Sequence, residues 1–417
     1  MTLAWLALLG LVGVLVVGAI RTDLNVGLLA MALAFVIGTA GAGLAPTEFG
    51  ALLPGNLLLT LVGVTLFFEL LRQNGTLDQI TQRILKLARG DSKRLPMVFF
   101  FLTFISSALG PGNIASTALI APVAMRVGVA AGVHPVLMAI VVCTGANAGT
   151  FSPVAVTGSI NTELMRSIGL EQGLNLHIFG MVALIQTVSA VLAYLIFQGW
   201  KTHTSETTPQ PETPARPEPL NWKNRVSLLA LACFILSVIV LKWPASMAAF
   251  LLVAVLTVLK VAPSEDSIKN LPWSVILLIS GISVLLALLE KTSSLDLLTS
   301  MLAQYTPQGF LHAALAFVTG LASVGSSSSG VVMPLFIPLV PELVSKLGGS
   351  SLQDAVVAID VGSHMVDVSP LSTLGALCLA ALPEQVNRAR VFKGLLLWGL
   401  CMTVVGAVLA YVILDVF

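Results

Sequence analysis

Residues Thr144–Gly158 read TGANAGTFSPVAVTG, and residues Val361–Gly375 read VGSHMVDVSPLSTLG. Gly145 and Gly362, Ser152-Pro153 and Ser369-Pro370, and Gly158 and Gly375 all stand 217 positions apart. Identities held at one offset are the mark of an internal repeat. Upstream, Pro122 and Pro338 stand 216 apart and Glu69 and Glu290 stand 221 apart, a drift that short loop differences produce. The second half of the chain reads as a divergent copy of the first.

Both stretches break an apolar run with glycine, proline and hydroxyl residues. The composition says what kind of run is broken: 56% of the 417 residues are hydrophobic and 10% are charged, with a mean hydropathy of +0.96. These values belong to an integral membrane protein. Repeated apolar stretches near the roughly 20 residues that cross a bilayer predict helices rather than a barrel. A formal net charge of +1 gives no footing for nucleic acid. Cys143, Cys233, Cys378 and Cys401 all lie in apolar segments, with no disulfide framework or metal-ligand spacing. Residues 2–20 lack a basic start and a small-residue cleavage site, and read as a first span rather than a leader.

Full spans are predicted over 3–20, 24–44, 55–73, 134–162 (interrupted) and 177–198, then 224–242, 245–260, 272–290, 353–381 (interrupted) and 391–414. A linker with the sequence KTHTSETTPQPETPARPEPLN separates the sets, rich in proline and free of aromatics. The domains expected are a first repeat over 1–199, a cytoplasmic linker over 200–222 and a second repeat over 223–417. Five spans per copy turn the second copy upside down in the membrane. The resulting loops place Arg166, Lys242, Lys291 and Lys346 on one side and the rest of the 21 lysines and arginines on the other. The positive-inside rule then puts the linker in the cytoplasm and both termini outside an inner (plasma) membrane.

Each half also carries a pair of short apolar segments, Leu95–Leu109 with Ile114–Val127 around GPGN and Gly309–Val324 with Val331–Lys346 around GSSSSG. These lengths predict re-entrant hairpins. Residues 76–89, TLDQITQRILKLAR, read as an interfacial helix before the first hairpin, and SLDLLTSMLAQY as its counterpart before the second. The fold class expected is thus an all-α polytopic membrane protein of two inverted repeats, each of five spans plus one re-entrant hairpin.

A break at membrane depth is tolerated only where protein or a water-filled site covers it, because lipid satisfies no backbone group. Discontinuous helices offer N-termini to anions and free carbonyls to cations. Substrate contacts are therefore expected from Asn113, Ser116, Thr117, Ser327, Ser328 and Ser329 at the hairpin tips. Thr150, Ser152, Ser369 and Thr373 join them from the interrupted spans. Gly112, Asn113, Asn147, Gly325, Ser326, Asp360 and Asp367 supply oxygens suited to a hard cation. Asp360, His364 and Asp367 fall at i, i+4 and i+7 and are the candidates for proton or ion coupling, since ionisable groups inside a membrane segment are costly. Glu69 and Glu290 end their spans and are expected to be solvated. No arginine lies in the breaks, so hydroxyls, helix dipoles and a co-bound Na+ or H+ must offset an anion's charge. No other cofactor is called for.

At GPGNIAST and the two SP loops the sequence resembles the MatC-type malonate and dicarboxylate carriers of the ion transporter superfamily, more distantly the divalent anion/sodium symporters. The resemblance implies a homodimer with a scaffold and a moving transport domain, working as an elevator on a small carboxylate substrate, with lipid as its surroundings. In the symporter relatives a Ser-Asn-Thr triplet at each tip touches sodium and a substrate carboxylate. Asn113 with Ser116 and Thr117 is the nearest match here, and Ser326–Ser329 stand in the second tip. An inorganic-anion transporter or cation/proton antiporter is the alternative. An intramembrane hydrolase using one of the tip serines with His364 lacks a nucleophile elbow, so no enzyme is expected.

Overall fold

The computed structural model describes residues 2–20, 24–53, 55–77, 79–80, 93–170, 175–197, 219–307, 309–324, 327–347 and 351–416. Among these the chain is helical, with no β-strand. The helices are α1 (Thr2–Ile20), α2 (Val26–Ala40), α3 (Gly55–Gln73), α4 (Leu95–Ala108), α5 (Gly112–Ala130), α6 (Pro135–Thr150), α7 (Val156–Ser167) and α8 (Asn175–Ile196). After the linker come α9 (Trp222–Ile239), α10 (Ala245–Val258), α11 (Ser264–Lys269), α12 (Trp273–Lys291), α13 (Ser294–Tyr305) and α14 (Leu311–Ser323). An irregular helical return, α15 (Ser328–Leu347), precedes α16 (Leu352–Met365), α17 (Thr373–Ala380) and α18 (Arg388–Ala410).

Every span expected from the sequence has its helix, and both interrupted spans are interrupted: α6 stops at Thr150 before α7, and α16 at Met365 before α17. One expectation changes. The second arms of the hairpins were read as too short to cross, yet α5 has 19 residues and α15 has 20, each long and apolar enough to span by length and composition. Helix α5 starts at Gly112, two residues earlier than its apolar run, and continues through Pro122 to Ala130. Six described helices meet that length and hydropathy. Most of the 76–89 segment, the linker, Gly325 and Ser326 lie outside the described residues.

Helices α6 and α16 form the centre, with Val136–Thr150 and Ala355–Met365 buried without a gap. A helix apolar all round belongs inside a bundle. Their nearest partners, α4 and α14, approach until a glycine is required. A Cβ on Gly145 would sit 2.4 Å from the Phe100 carbonyl oxygen and from Thr103 Oγ1. One on Gly362 would sit 2.2 Å from the Ala316 oxygen and 2.5 Å from Thr319 Oγ1. The two contacts use positions 216 and 217 residues apart. The same spacing recurs in the outer helices, where α2 packs on α12 and α10 on α3. A Cβ on Gly281 would meet the Gly27 oxygen at 1.8 Å, and one on Gly63 would meet the Ser246 oxygen at 3.3 Å.

Two apolar cores result. The larger runs through α4–α8 and α12–α18; a smaller one joins α3 to α9 and α10 around Phe67, Phe68 and Phe234, whose rings lie 4.9 to 5.8 Å apart. Leu6, Leu195, Leu229, Val258, Leu397 and Val408 are exposed on the outer helices. Large apolar side chains turned outward on long helices suit a hydrocarbon surrounding.

Candidate transport site

The tips and the breaks meet. The N-terminus of α5 comes up beneath the end of α6, and there the Asn113 backbone N–H donates to Thr150 Oγ1 at 3.2 Å while its Nδ2 donates to Asn147 Oδ1 at 2.8 Å. Asn147 passes the chain across to the second half. Its Nδ2 donates to the His364 carbonyl oxygen at 2.8 Å and to Asp367 Oδ2 at 3.2 Å. The other Asp367 oxygen lies 2.5 Å from Ser328 Oγ and 3.3 Å from Ser372 Oγ. Ser328 Oγ is in turn 2.6 Å from Ser323 Oγ, and Thr150 Oγ1 donates to Thr157 Oγ1 at 2.8 Å.

One buried polar network therefore joins both hairpins and both interrupted spans. Asn113 and Ser328 hold corresponding places at the two tips, as do Thr150 and Asp367 in the two breaks. Asp367 is an ionisable oxygen donor held by an amide and two hydroxyls, a donor set suited to a hard monovalent cation or a proton. Among the described residues no three of His, Cys, Asp and Glu come together.

A cavity of about 510 Å³ opens against this network. Gly112, Asn113, Thr157 and Ser329 line one wall, and Thr65 and Arg72 of α3 line the other. That volume suits a small ligand. Arg72 is the cationic group that the breaks themselves lack. Its Nε and Nη2 donate to Glu69 at 2.7 and 2.6 Å, so Glu69 is an ion-paired, half-buried wall residue rather than the solvated span end expected. Glu290 is exposed, as expected. It lines a separate space of about 760 Å³ at the far ends of α3 and α12.

The remaining candidates divide. Ser116 Oγ accepts from Ser106 Oγ at 3.0 Å, and Thr117 is buried with its hydroxyl unpartnered. Ser327 caps the return helix by accepting from the Gly330 N–H at 3.0 Å, which leaves Ser329 to face the cavity. Ser152 is buried in the first break; Ser369 Oγ accepts from the Leu371 N–H at 3.3 Å. Thr373 is exposed, and its neighbour Ser372 turns to Asp367 instead.

Asp360, His364 and Asp367 do not act as one face. Helix α16 ends at Met365, so Asp367 sits in the break, while the Asp360 carboxylate turns to Asn161 of α7, whose Nδ2 donates to Oδ2 at 2.5 Å. His364 Nδ1 lies 3.0 Å from the Asp360 backbone oxygen, not its carboxylate. A carbonyl only accepts, so Nδ1 carries the proton and Nε2 is bare against the Phe151 ring, 4.7 Å between centroids. Sequence reasoning missed Asn161, Thr157, Ser323 and Ser372. Asn161 and Cys378 stand 217 apart, the offset already visible, but nothing in either segment says that its partner comes from the other half.

Two solved transporters share this arrangement of helices. The YdaH transporter of Alcanivorax borkumensis, whose crystal structure revealed an unusual topology, superposes with a TM-score of 0.55 over 88% of this chain and 86% of its own, at 16% identity. MtrF of Neisseria gonorrhoeae, from a class of antimetabolite efflux pumps, gives 0.57 over 89% and 83%, at 14% identity. At such identities the likeness is one of fold. The sequence of the first half is more specific. Residues 1–150 match the dicarboxylate carrier protein MatC N-terminus family. The resemblance to MatC-type carriers is borne out over those residues, which include α1–α6 and the Asn113 tip. No curated protein matches the chain.

Proposed function

We propose that the protein is a secondary transporter of small carboxylates, dicarboxylates such as malonate or succinate first among them, driven by a sodium or proton gradient. The observation that carries this reading is the network from Thr157 through Asn113, Asn147 and Asp367 to Ser328, which faces a ligand-sized cavity at the meeting of four helix breaks. One substrate carboxylate sits on the tip residues Asn113 and Ser329. The second lies toward Arg72, whose guanidinium exchanges Glu69 for the incoming anion. The MatC-type match supports the substrate class.

The architecture we propose is a pair of inverted repeats, 1–199 and 223–417, with a cytoplasmic linker over 200–222 and both termini outside. The matched glycine contacts and paired breaks support it. The hairpins α4–α5 and α14–α15, with the broken spans, move as an elevator against a scaffold of α1–α3 and α9–α12, which pairs with a second copy. The cavity runs from the Asn113 tip to the Arg72 end of α3, the side richer in lysine and arginine, so the state described faces the cytoplasm.

Thermal stabilisation tests the substrate class. A ligand that binds only the folded protein raises its stability by about 2.7 kcal/mol at a hundred times its dissociation constant. Malonate or succinate is expected to raise the melting temperature, and phosphate and sulfate are not. Stabilisation by inorganic anions alone would make this an inorganic-anion carrier.

A further inference from the structure

Asp360 and Asn161 occupy a contact that the molecule makes twice. Cys143 stands 217 residues before Asp360, and Cys378 stands 217 residues after Asn161. Asp360 Oδ2 accepts from Asn161 Nδ2 at 2.5 Å, and Cys143 Sγ lies 3.6 Å from Cys378 Sγ. Both contacts join the first helix of one interrupted span to the second helix of the other, and all four side chains are buried. In one the fold is closed by two thiols, which behave as small hydrophobes. The other is closed by a carboxylate and an amide. The thiol pair shows that packing at this place does not demand polar groups, so the carboxylate is a cost without a structural return.

Asp360 Oδ1 and Asn161 Oδ1 are both buried and lack a hydrogen-bond partner. Both are acceptors. The helices packed on α16 carry His177 (α8), His312 (α14), Glu342 and Lys346 (α15), and Arg388, Arg390 and Lys393 (α18) as their titratable and charged groups. On α16 itself stand Asp354 and His364, and α7 carries Glu163 and Arg166 beside Asn161. Glu342 is paired with Lys346 and Glu163 with Arg166, and the hydrogen bond that the Asp360 carboxylate makes is the one from Asn161. A proton on Oδ1 removes the uncompensated charge and supplies a donor where two acceptors lack one. Two free oxygens are few for a hard metal ion, which takes a fuller shell.

We infer that Asp360, held by Asn161, is a proton-carrying site separate from the tip network, and that the coupled ion carried there is H+. This rests on the transporter reading above. The proton binds the Asp360 carboxylate on one side of the membrane and leaves it on the other, and no other bond changes.

The test uses purified protein in proteoliposomes, with malonate uptake under a proton gradient, a sodium gradient or neither. Three proteins are compared: the natural chain, Asp360→Asn, and the double variant Asp360→Cys with Asn161→Cys, which copies the pair the fold already accepts at the matching place. Melting temperature with and without malonate shows which are folded and bind. One proton carried per substrate supports about tenfold accumulation per unit of pH gradient. The natural chain is expected to reach it, and both variants to fall to the level of the gradient-free control. Proton-driven accumulation kept by either folded variant, or accumulation by the natural chain under sodium alone, overturns the inference and leaves the carboxylate reading standing. If the natural chain carries no carboxylate at all, the proposed function fails and infrared spectroscopy decides the site. A protonated-carboxyl carbonyl band present in the natural chain and lost in Asp360→Asn upholds it, and the absence of such a band overturns it.

Discussion

Asn113 and Ser328 show how much rests on single side chains. Each stands at the start of a hairpin's second arm and reaches into the opposite break, Asn113 to Asn147 and Thr150, Ser328 to Asp367. Removing either side chain leaves a buried partner unsatisfied, at about 1–3 kcal/mol. Asn113→Ala and Ser328→Ala are expected to weaken malonate binding by about 5- to 150-fold with the protein still folded, measured by calorimetric titration; unchanged affinity in both would remove the tips from the site. Arg72→Gln takes the cation from the cavity wall and is expected to raise the KM for a dicarboxylate more than for a monocarboxylate. Both tips were legible from their glycine and hydroxyl clusters. Arg72 was not, because its helix reads as an ordinary apolar span and only the folded chain turns that end toward GPGN. Thr373 was chosen over Ser372 because the sequence does not say where α17 begins. The helix starts at Thr373, which leaves Ser372 in the preceding turn with its hydroxyl aimed at Asp367.

At the scale of elements, the decisive fact is how close α4 lies to α6 and α14 to α16. Both interfaces turn on a glycine whose Cβ would overlap a facing carbonyl. Gly145→Ala and Gly362→Ala force these helices apart, and overpacking of this kind costs about 1–3 kcal/mol. A lowered melting temperature is expected in each, by similar amounts, and a change in only one would count against equivalent interfaces. The glycine pair was visible in the sequence as one of the identities at offset 217. Its reason was not, since the partners Phe100 and Ala316 carry no repeat signal of their own. The breaks were legible for the opposite reason: proline and glycine inside an apolar run are a local signal that needs no partner. Helix lengths were less so, and α5 runs longer than its apolar core because its first turn is built from tip residues.

For the whole molecule, the alternation of spans makes a claim about sides. Asn270 and Asp296 are exposed at opposite ends of α12. With the four native cysteines replaced by serine, Asn270→Cys is expected to react with a membrane-impermeant maleimide from the cytoplasmic face only and Asp296→Cys from the outer face only. The reverse would invert the topology, and labelling of both from one face would break it. Composition and span count carried the architecture from the sequence, since a membrane leaves few ways to satisfy a backbone. What they did not carry is the pairing of one half with the other, which arises when α6 and α16 are buried side by side and their breaks meet. The measurement that bears most directly on a carrier built around that meeting point is uptake of radiolabelled malonate and succinate into proteoliposomes, with a gradient imposed or withheld. Accumulation that requires a cation gradient and is lost in the Asn113→Ala, Ser328→Ala double variant is the expected result. Absence of uptake by folded natural protein, or full uptake by the double variant, would contradict it.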